Sequence, residues 1–206
     1  MYADYNDFDE RYFDGSADSE MRHPAGYWYY PNELLEYDQY ADEIDSFVGQ
    51  RKLLVVGCGT GFAISYLVDE HGWNRVYGMD ISEWAVENAL DDVADRVFLG
   101  DARDPSVYDD LARDTQGPPR WDGVYTEYVL EHYTDETAQA ICDIALDEAS
   151  NMVVHRIWSG TGDSREDEWF NVKTVAEWID LTGHDEDDDV YWIDHDRPED
   201  STFGGI

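Results

Sequence analysis

The chain has 206 residues but only two cysteines and two lysines. Cys58 and Cys142 lie far apart and form no C-x-x-C pair, which argues against a disulfide framework and against a thiolate zinc site. The six histidines are scattered, with no H-x-x-x-H on an expected helix, so no structural metal is expected. No apolar run approaches the roughly 20 residues that a membrane span needs. The first residues, Met1 to Asp7, are acidic and lack the basic-then-apolar layout of a signal peptide. These absences together lead to the expectation of a soluble, cytoplasmic protein without a membrane partner.

Positive charge is scarce as well. Against 49 Asp and Glu stand 13 Lys and Arg, a formal charge of −36. At about 0.1 M salt the Debye length is roughly 10 Å, and carboxylates on a domain this size repel one another; at about 1 M it falls to roughly 3 Å. The composition therefore predicts an acidic, halophilic protein that holds together best in a high-salt intracellular environment. An acidic disordered chain is the alternative. The 42% hydrophobic and 15% aromatic content, set in regular segments, argues against it and for a packed interior.

Along the chain, residues 1–50 form an acidic, aromatic leader, and residues 51–206 read as the core of the same single domain. Within the leader, Leu34, Leu35, Tyr37, Tyr40, Ala41, Ile44 and Phe47 follow helical spacing. From Lys52 the texture changes. Lys52–Gly57 is a continuous apolar run, as a strand buried on both faces should be. A helix is expected over Phe62–Glu70, a strand at Arg75–Met79, and a helix over Ser82–Leu90 with Ser82 as its N-cap. Further strands are expected at Arg96–Leu99, Asp122–Thr126, Met152–Trp158 and Val190–Ile193. Helices are expected at Pro105–Arg113, Thr134–Ala149 and Val172–Leu181. This alternation predicts an α/β fold with a Rossmann-like, mostly parallel sheet covered by helices on both faces.

Gly57, Gly59 and Gly61 close the first strand and open the first helix of that alternation. Glycines there let a ligand approach the backbone without Cβ obstruction, at the strand ends where open α/β sheets bind ligands. A dinucleotide fingerprint would read G-x-G-x-x-G. Here the third position is Phe62 and the glycine falls one residue earlier, which disfavours a nicotinamide-dependent oxidoreductase. Asp80 ends the second strand, where a carboxylate can accept from both hydroxyls of an adenosine ribose. Asp101 follows the third strand in Gly100-Asp101-Ala102, placed to receive an adenine amino group. Each element has a plain alternative, a glycine turn, a helix cap and a turn dipeptide. Chance does not readily supply all three at successive strand ends.

The segments VVGCGTGF, VYGMDIS, GDARD and YTEYVLEHYTDE together resemble the motif series of class I S-adenosylmethionine-dependent methyltransferases, in particular the type-11-like small-molecule group. The likeness covers about residues 50–157. The leader segments ERYFDG and GYWYYPNELLEY resemble more loosely the N-terminal helical and aromatic cap of such enzymes. The resemblance implies S-adenosyl-L-methionine as methyl donor, with Gly57, Cys58, Gly59, Thr60 and Gly61 cradling its methionine part. It implies Asp80 on the ribose, Ile81 against the adenine, Asp101 and Ala102 at the adenine edge, and Glu127 beside the amino-acid moiety. Two departures stand out. Thr126-Glu-Tyr-Val replaces the proline-containing tetrad of nucleic-acid amino-methyltransferases. The tail beyond Ile193 is also too short for the family's long antiparallel hairpin, so a truncated hairpin is expected.

His132, after the fourth strand, and His155, in the fifth, are the candidates for a base that would take a proton from the acceptor. Each has a bland reading, loop shaping for His132 and a hydrogen-bonded core group for His155. Tyr27, Trp28, Tyr29 and Tyr30 could form a lid or simply pack the leader on the sheet. The acidic run His184–Asp189 lacks the spacing and glycine of a calcium loop and reads as a solvated loop. The negative surface and the lack of a basic stripe disfavour nucleic acid. The acceptor expected first is therefore an O or N atom of a small molecule or of a sugar- or lipid-type metabolite. Methylation of a protein or nucleic acid, and a non-catalytic cofactor-binding subunit, are the alternatives.

Overall fold

A strand that is apolar at every position has to be covered on both sides, and Leu53–Val56 (β1) is buried throughout, at no more than 2% exposure. It lies inside a six-stranded sheet of a computed structural model that describes Phe8, residues 51–157 and residues 171–194. The expected leader helix, the aromatic run Tyr27–Tyr30 and the tail beyond Asp194 lie outside the described residues.

The chain runs from β1 through helix α1 (Phe62–Asp69), β2 (Val76–Asp80), α2 (Glu83–Glu87) and β3 (Val97–Leu99) to α3 (Pro105–Asp114). It continues through β4 (Trp121–Glu127), α4 (Asp135–Glu148), β5 (Ala149–Ile157), α5 (Val175–Thr182) and β6 (Val190–Asp194). The spatial order is β3-β2-β1-β4-β5-β6, and every neighbouring pair is parallel. The expectation of a mostly parallel, Rossmann-like sheet is met, with all six described strands parallel. Strand order reverses between β1 and β4, which opens a crevice at their carboxyl ends.

Alternation along β1 divides the interior. Leu54 and Val56 join Val124, Ile141 and Trp178 on one face, under α3, α4 and α5. Leu53 and Val55 join Ile64, Leu67, Tyr125 and Val154 on the other, where α1 packs. Side chains stop the helix ends as the residue types predict. The Ser82 Oγ accepts from the Ala85 amide at 3.0 Å, and Thr174 and Glu177 complete a capping box at α5. Helix α2 ends three residues before the expected Leu90. The Leu90 amide donates to the Thr60 carbonyl at 3.0 Å, drawing the chain back onto the glycine turn.

Both lysines are held against the fold. Lys52 is fully buried; its Nζ donates to the Ala112 carbonyl at 2.6 Å and the Pro118 carbonyl at 2.9 Å, and lies 4.8 Å from the Trp121 ring centre. It thereby ties the end of α3 and the loop after it to β1 and β4. Lys173 pairs with Asp135 at 2.9 Å and faces the Trp178 ring at 5.5 Å. In the run His184–Asp189 the five acidic residues are exposed, as expected of a solvated loop, with a 3₁₀ turn at Glu186–Asp188, whereas His184 is half-buried with its Nε2 2.8 Å from Asp143 Oδ1. No helix among the described residues is long and apolar enough to cross a membrane.

Candidate functional site

At the carboxyl end of β1 the chain turns on glycines with positive φ, 74° at Gly57, 54° at Gly59 and 91° at Gly61. Two of them are required by the chain's own packing. A Cβ on Gly57 would strike Val129 Cγ2, and one on Gly61 would come within 2.9 Å of Val97 Cγ2 and 3.0 Å of Val93 Cγ2. The backbone can thus pass close under β3 and β4 while presenting its upper side at the crevice.

Asp80 ties this turn to β2. Its Oδ2 accepts from the Gly59 amide at 2.7 Å and its Oδ1 from the Ser82 amide at 2.9 Å. The side chain is 9% exposed, and burial pushes its pKa above the ordinary carboxylate value against the pull of these amide hydrogen bonds. A carboxylate has about four lone-pair positions, so two amide bonds leave room for hydroxyl donors. Cys58 and Thr60 are buried within the turn. The Cys58 thiol is raised well above its usual range by burial, then by the nearby charges of Asp80 and Glu127. Asp80 meets this turn through the Gly59 amide, and the Glu127 backbone passes 3.1 Å from where a Cβ on Gly57 would stand.

Ile81 is half-buried directly after Asp80, and Ala102 is buried after β3. Asp101 already has a partner: Arg103 Nε donates to its Oδ1 at 2.8 Å and Nη2 to its Oδ2 at 2.6 Å. Partial burial works to raise the Asp101 pKa, but the Arg103 hydrogen bonds and charge outweigh it and hold the carboxyl below its ordinary value. Arg103 also lies 5.5 Å over the Tyr133 ring, joining the ends of β3 and β4.

Glu127, the last residue of β4, is buried and ion-paired with Arg156 of β5, Nη1 to Oε1 at 3.0 Å. Neither Arg103 nor Arg156 is singled out by the sequence, because nothing in a linear pattern marks which carboxylate an arginine will meet. The register does: Glu127 lies opposite Arg156.

The two histidines sit in different surroundings. His132, in the 3₁₀ turn Leu130–His132 after β4, is 6% exposed and meets the edge of the Phe8 ring at 5.1 Å. Burial lowers its pKa to about 4. The Phe8 backbone carbonyl in turn accepts from the Ser82 Oγ at 2.5 Å, so this leader residue bridges the ends of β2 and β4. His155 lies inside the sheet with no exposure, its Nδ1 2.8 Å from Thr126 Oγ1 and its ring 4.6 Å from that of Trp192. Burial, with a smaller effect from His184, lowers its pKa to about 3. The structure therefore brings Gly57–Gly61, Asp80, Ile81, Asp101, Ala102, Glu127 and His132 to one edge of the sheet and leaves His155 in the core below it.

The donor set at that edge fits an adenosine bearing an amino acid: buried carboxylates at the ends of β2 and β4, a turn without Cβ atoms at Gly57, Gly59 and Gly61, and a half-buried apolar residue beside Asp80. Comparison with known proteins points the same way. Residues 53–147 match the family described as a methyltransferase domain. Among solved structures the chain is similar to the magnesium protoporphyrin IX methyltransferase of Synechocystis PCC 6803 with bound SAM (19% identity, 87% of this chain and 78% of that one, TM-score 0.54). It is also similar to a structure from work on the conversion of a disulfide bond into a thioacetal group during echinomycin biosynthesis (18% identity, 85% and 76%, TM-score 0.53). A third is DesVI of Streptomyces venezuelae (22% identity, 62% of this chain, TM-score 0.48), of whose length this chain spans about half, 52%. No curated protein matches. At these identities the structural likenesses speak to the fold.

Proposed function

With residues 53–147 a class I, S-adenosylmethionine-dependent methyltransferase domain, we propose that the chain methylates an oxygen or nitrogen atom of a small molecule or of a sugar- or lipid-type metabolite. The observation that carries the cofactor part of this reading is the buried Asp80 carboxylate, hydrogen-bonded to the Gly59 amide at the switch point of the sheet. When bound, S-adenosylmethionine supplies a methyl group on a sulfonium, open to displacement by a nucleophile.

The chain's own part is binding and orientation, which is most of what such a displacement needs. Asp80 accepts from the ribose hydroxyls with the lone pairs its amide donors leave. Ile81 packs on the adenine, and Asp101 and Ala102 meet its edge. Gly57, Cys58, Gly59, Thr60 and Gly61 line the methionine part, with Glu127 at its ammonium. We assign the acceptor side to His132, which follows β4 and contacts Phe8. With its pKa near 4 it is neutral at pH 7, so it is a hydrogen-bond acceptor first and a weak base second. The contacts of Phe8 support reading residues 1–50 as a cap on the same domain.

Charge supports the choice of acceptor. A chain at −36 repels phosphate-rich polymers at low salt, and the same charge supports a high-salt setting. Two measurements test the proposal. Calorimetry in about 2 M KCl should show S-adenosylhomocysteine binding that Asp80→Ala abolishes; a folded wild type that binds nothing would sink the reading. Methyl-labelled cofactor incubated with a cell extract should then leave label in small molecules separable from the cofactor itself. Label confined to precipitated protein or nucleic acid would reverse the acceptor class.

A further inference from the structure

One buried ion pair stands at the edge of the sheet where the glycine turn lies. Glu127 closes β4, and the strand register sets it directly against Arg156 of β5. Their side chains are 8% and 3% exposed, and they meet at 3.0 Å. The guanidinium also lies 4.9 Å over the ring of Tyr128. Tyr128 is itself unusual: among the described residues only it and Asp189 have positive φ without being glycine, 51° at Tyr128. An aromatic residue is strained there. Its amide donates to the Arg156 carbonyl at 3.0 Å, so backbone and ring both engage the same arginine.

Stability alone does not explain this arrangement. Two desolvated ions recover by mutual attraction about what their burial costs, and apolar residues of like size would serve a core as well. Position gives the pair its meaning. The Glu127 carbonyl lies 3.1 Å from where a Cβ on Gly57 would stand, and the Glu127 charge adds to the raising of the Cys58 thiol, so this residue adjoins those that line the methionine part of the site.

We propose that Arg156 is a positioning residue: paired with Glu127 and stacked on Tyr128, it holds that carboxylate at the glycine turn to accept the α-ammonium of the nucleoside's amino-acid group. This rests on reading the site as one for S-adenosylmethionine. A carboxylate can accept from an arginine and an ammonium at once, having about four lone-pair positions. Lysine would supply the charge at this position without the planar fork or the stacking face.

The test compares two probes by calorimetry in about 2 M KCl: S-adenosylhomocysteine, and 5′-methylthioadenosine, which keeps the nucleoside and thioether but lacks the amino-acid group. The proteins are wild type, Arg156→Lys, and the paired change Glu127→Gln with Arg156→Gln. The paired change removes both charges together and leaves no buried ion without a counter-ion should a single change fail to fold. Both variants should bind S-adenosylhomocysteine about tenfold to a hundredfold more weakly, Arg156→Lys the less affected of the two. Binding of 5′-methylthioadenosine should stay within about twofold of wild type. A purely structural role would weaken both probes alike, and that result, or unchanged S-adenosylhomocysteine binding, overturns the assignment of Arg156. Wild type binding neither probe overturns instead the reading of the site on which the assignment rests.

Discussion

Replacing Gly61 by alanine should destabilise the protein far more than the same change at Gly72, although both glycines have positive φ, 91° and 67°. The left-handed region costs an alanine about 1–2 kcal/mol at either position. A less flexible unfolded chain returns about 0.4–1 kcal/mol in both cases. The difference lies in the space each Cβ would enter. At Gly72 nothing lies within 4 Å, whereas at Gly61 the new methyl group would press on Val97 Cγ2 at 2.9 Å and Val93 Cγ2 at 3.0 Å. Both valines are buried, at 4% and 0% exposure, so neither can swing into solvent. Forcing an extra carbon into such a place costs about 1–3 kcal/mol. The net expectation is a loss of about 1–5 kcal/mol for Gly61→Ala and about 0–2 kcal/mol for Gly72→Ala, separated by the overpacking cost. Urea unfolding in about 2 M KCl reads both, since the midpoint moves with stability while the slope reports surface exposed. Equal losses in the two variants would refute the argument that Val93 and Val97 keep a side chain out of the turn.

Two further outcomes follow from charge. His132 and His155 have folded pKa values lowered to about 4 and about 3, so below pH about 6.5 the unfolded chain takes up protons that the folded one refuses. Their contribution is whole above that pH and is lost as the pH falls toward the folded values, amounting to about 2 kcal/mol per histidine at pH 5. His155→Gln should flatten the drop in urea midpoint between pH 7 and pH 5, and an undiminished drop would show that His155 is not buried neutral. The formal charge of −36 should make the thermal midpoint climb between about 0.1 M and 2 M KCl as screening shortens the Debye length. A flat response would remove the salt argument and with it the proposed setting.

The strands were legible through the apolar stretches they contain, such as Leu53–Val56 in β1 and Met152–Val154 in β5, as a parallel sheet buried on both faces requires. The glycine turn and Asp80 were legible for a related reason: their chemistry is local, set by residues a few positions apart. What escaped the sequence is pairing across the fold. Arg156 meets Glu127 through the β4–β5 register at a sequence separation of 29, and Phe8 reaches Ser82 at a separation of 74. Arg103 and Asp101 are close in sequence, yet a bidentate clamp depends on a backbone turn that residue types alone leave open. The sequence overextends helix α2 because Ala89 and Leu90 continue the apolar spacing. The Thr60 carbonyl competes for the Leu90 amide and ends the helix first. The apolar neighbours of His155 mark it as a possible core group, but its ring contact with Trp192 comes from β6, beyond the reach of any local pattern.

The placement of the lysines has a use outside the cell. Acylating reagents and amine-directed crosslinkers need a neutral, accessible amino group, and the only ε-amino groups in this chain are those of Lys52 and Lys173. Lys52 is enclosed, with its nitrogen donating to the carbonyls of Ala112, Thr115 and Pro118 and facing the Trp121 ring. A reagent can reach it only when the link between β1 and the loop after α3 comes apart. The rate at which Lys52 is modified therefore clocks the opening of the native state, with Lys173, partly accessible on its ion pair, as the internal reference for reagent strength. A protein nearly stripped of amines thus carries its own chemical stopwatch for unfolding, readable by mass in whatever salt keeps it folded.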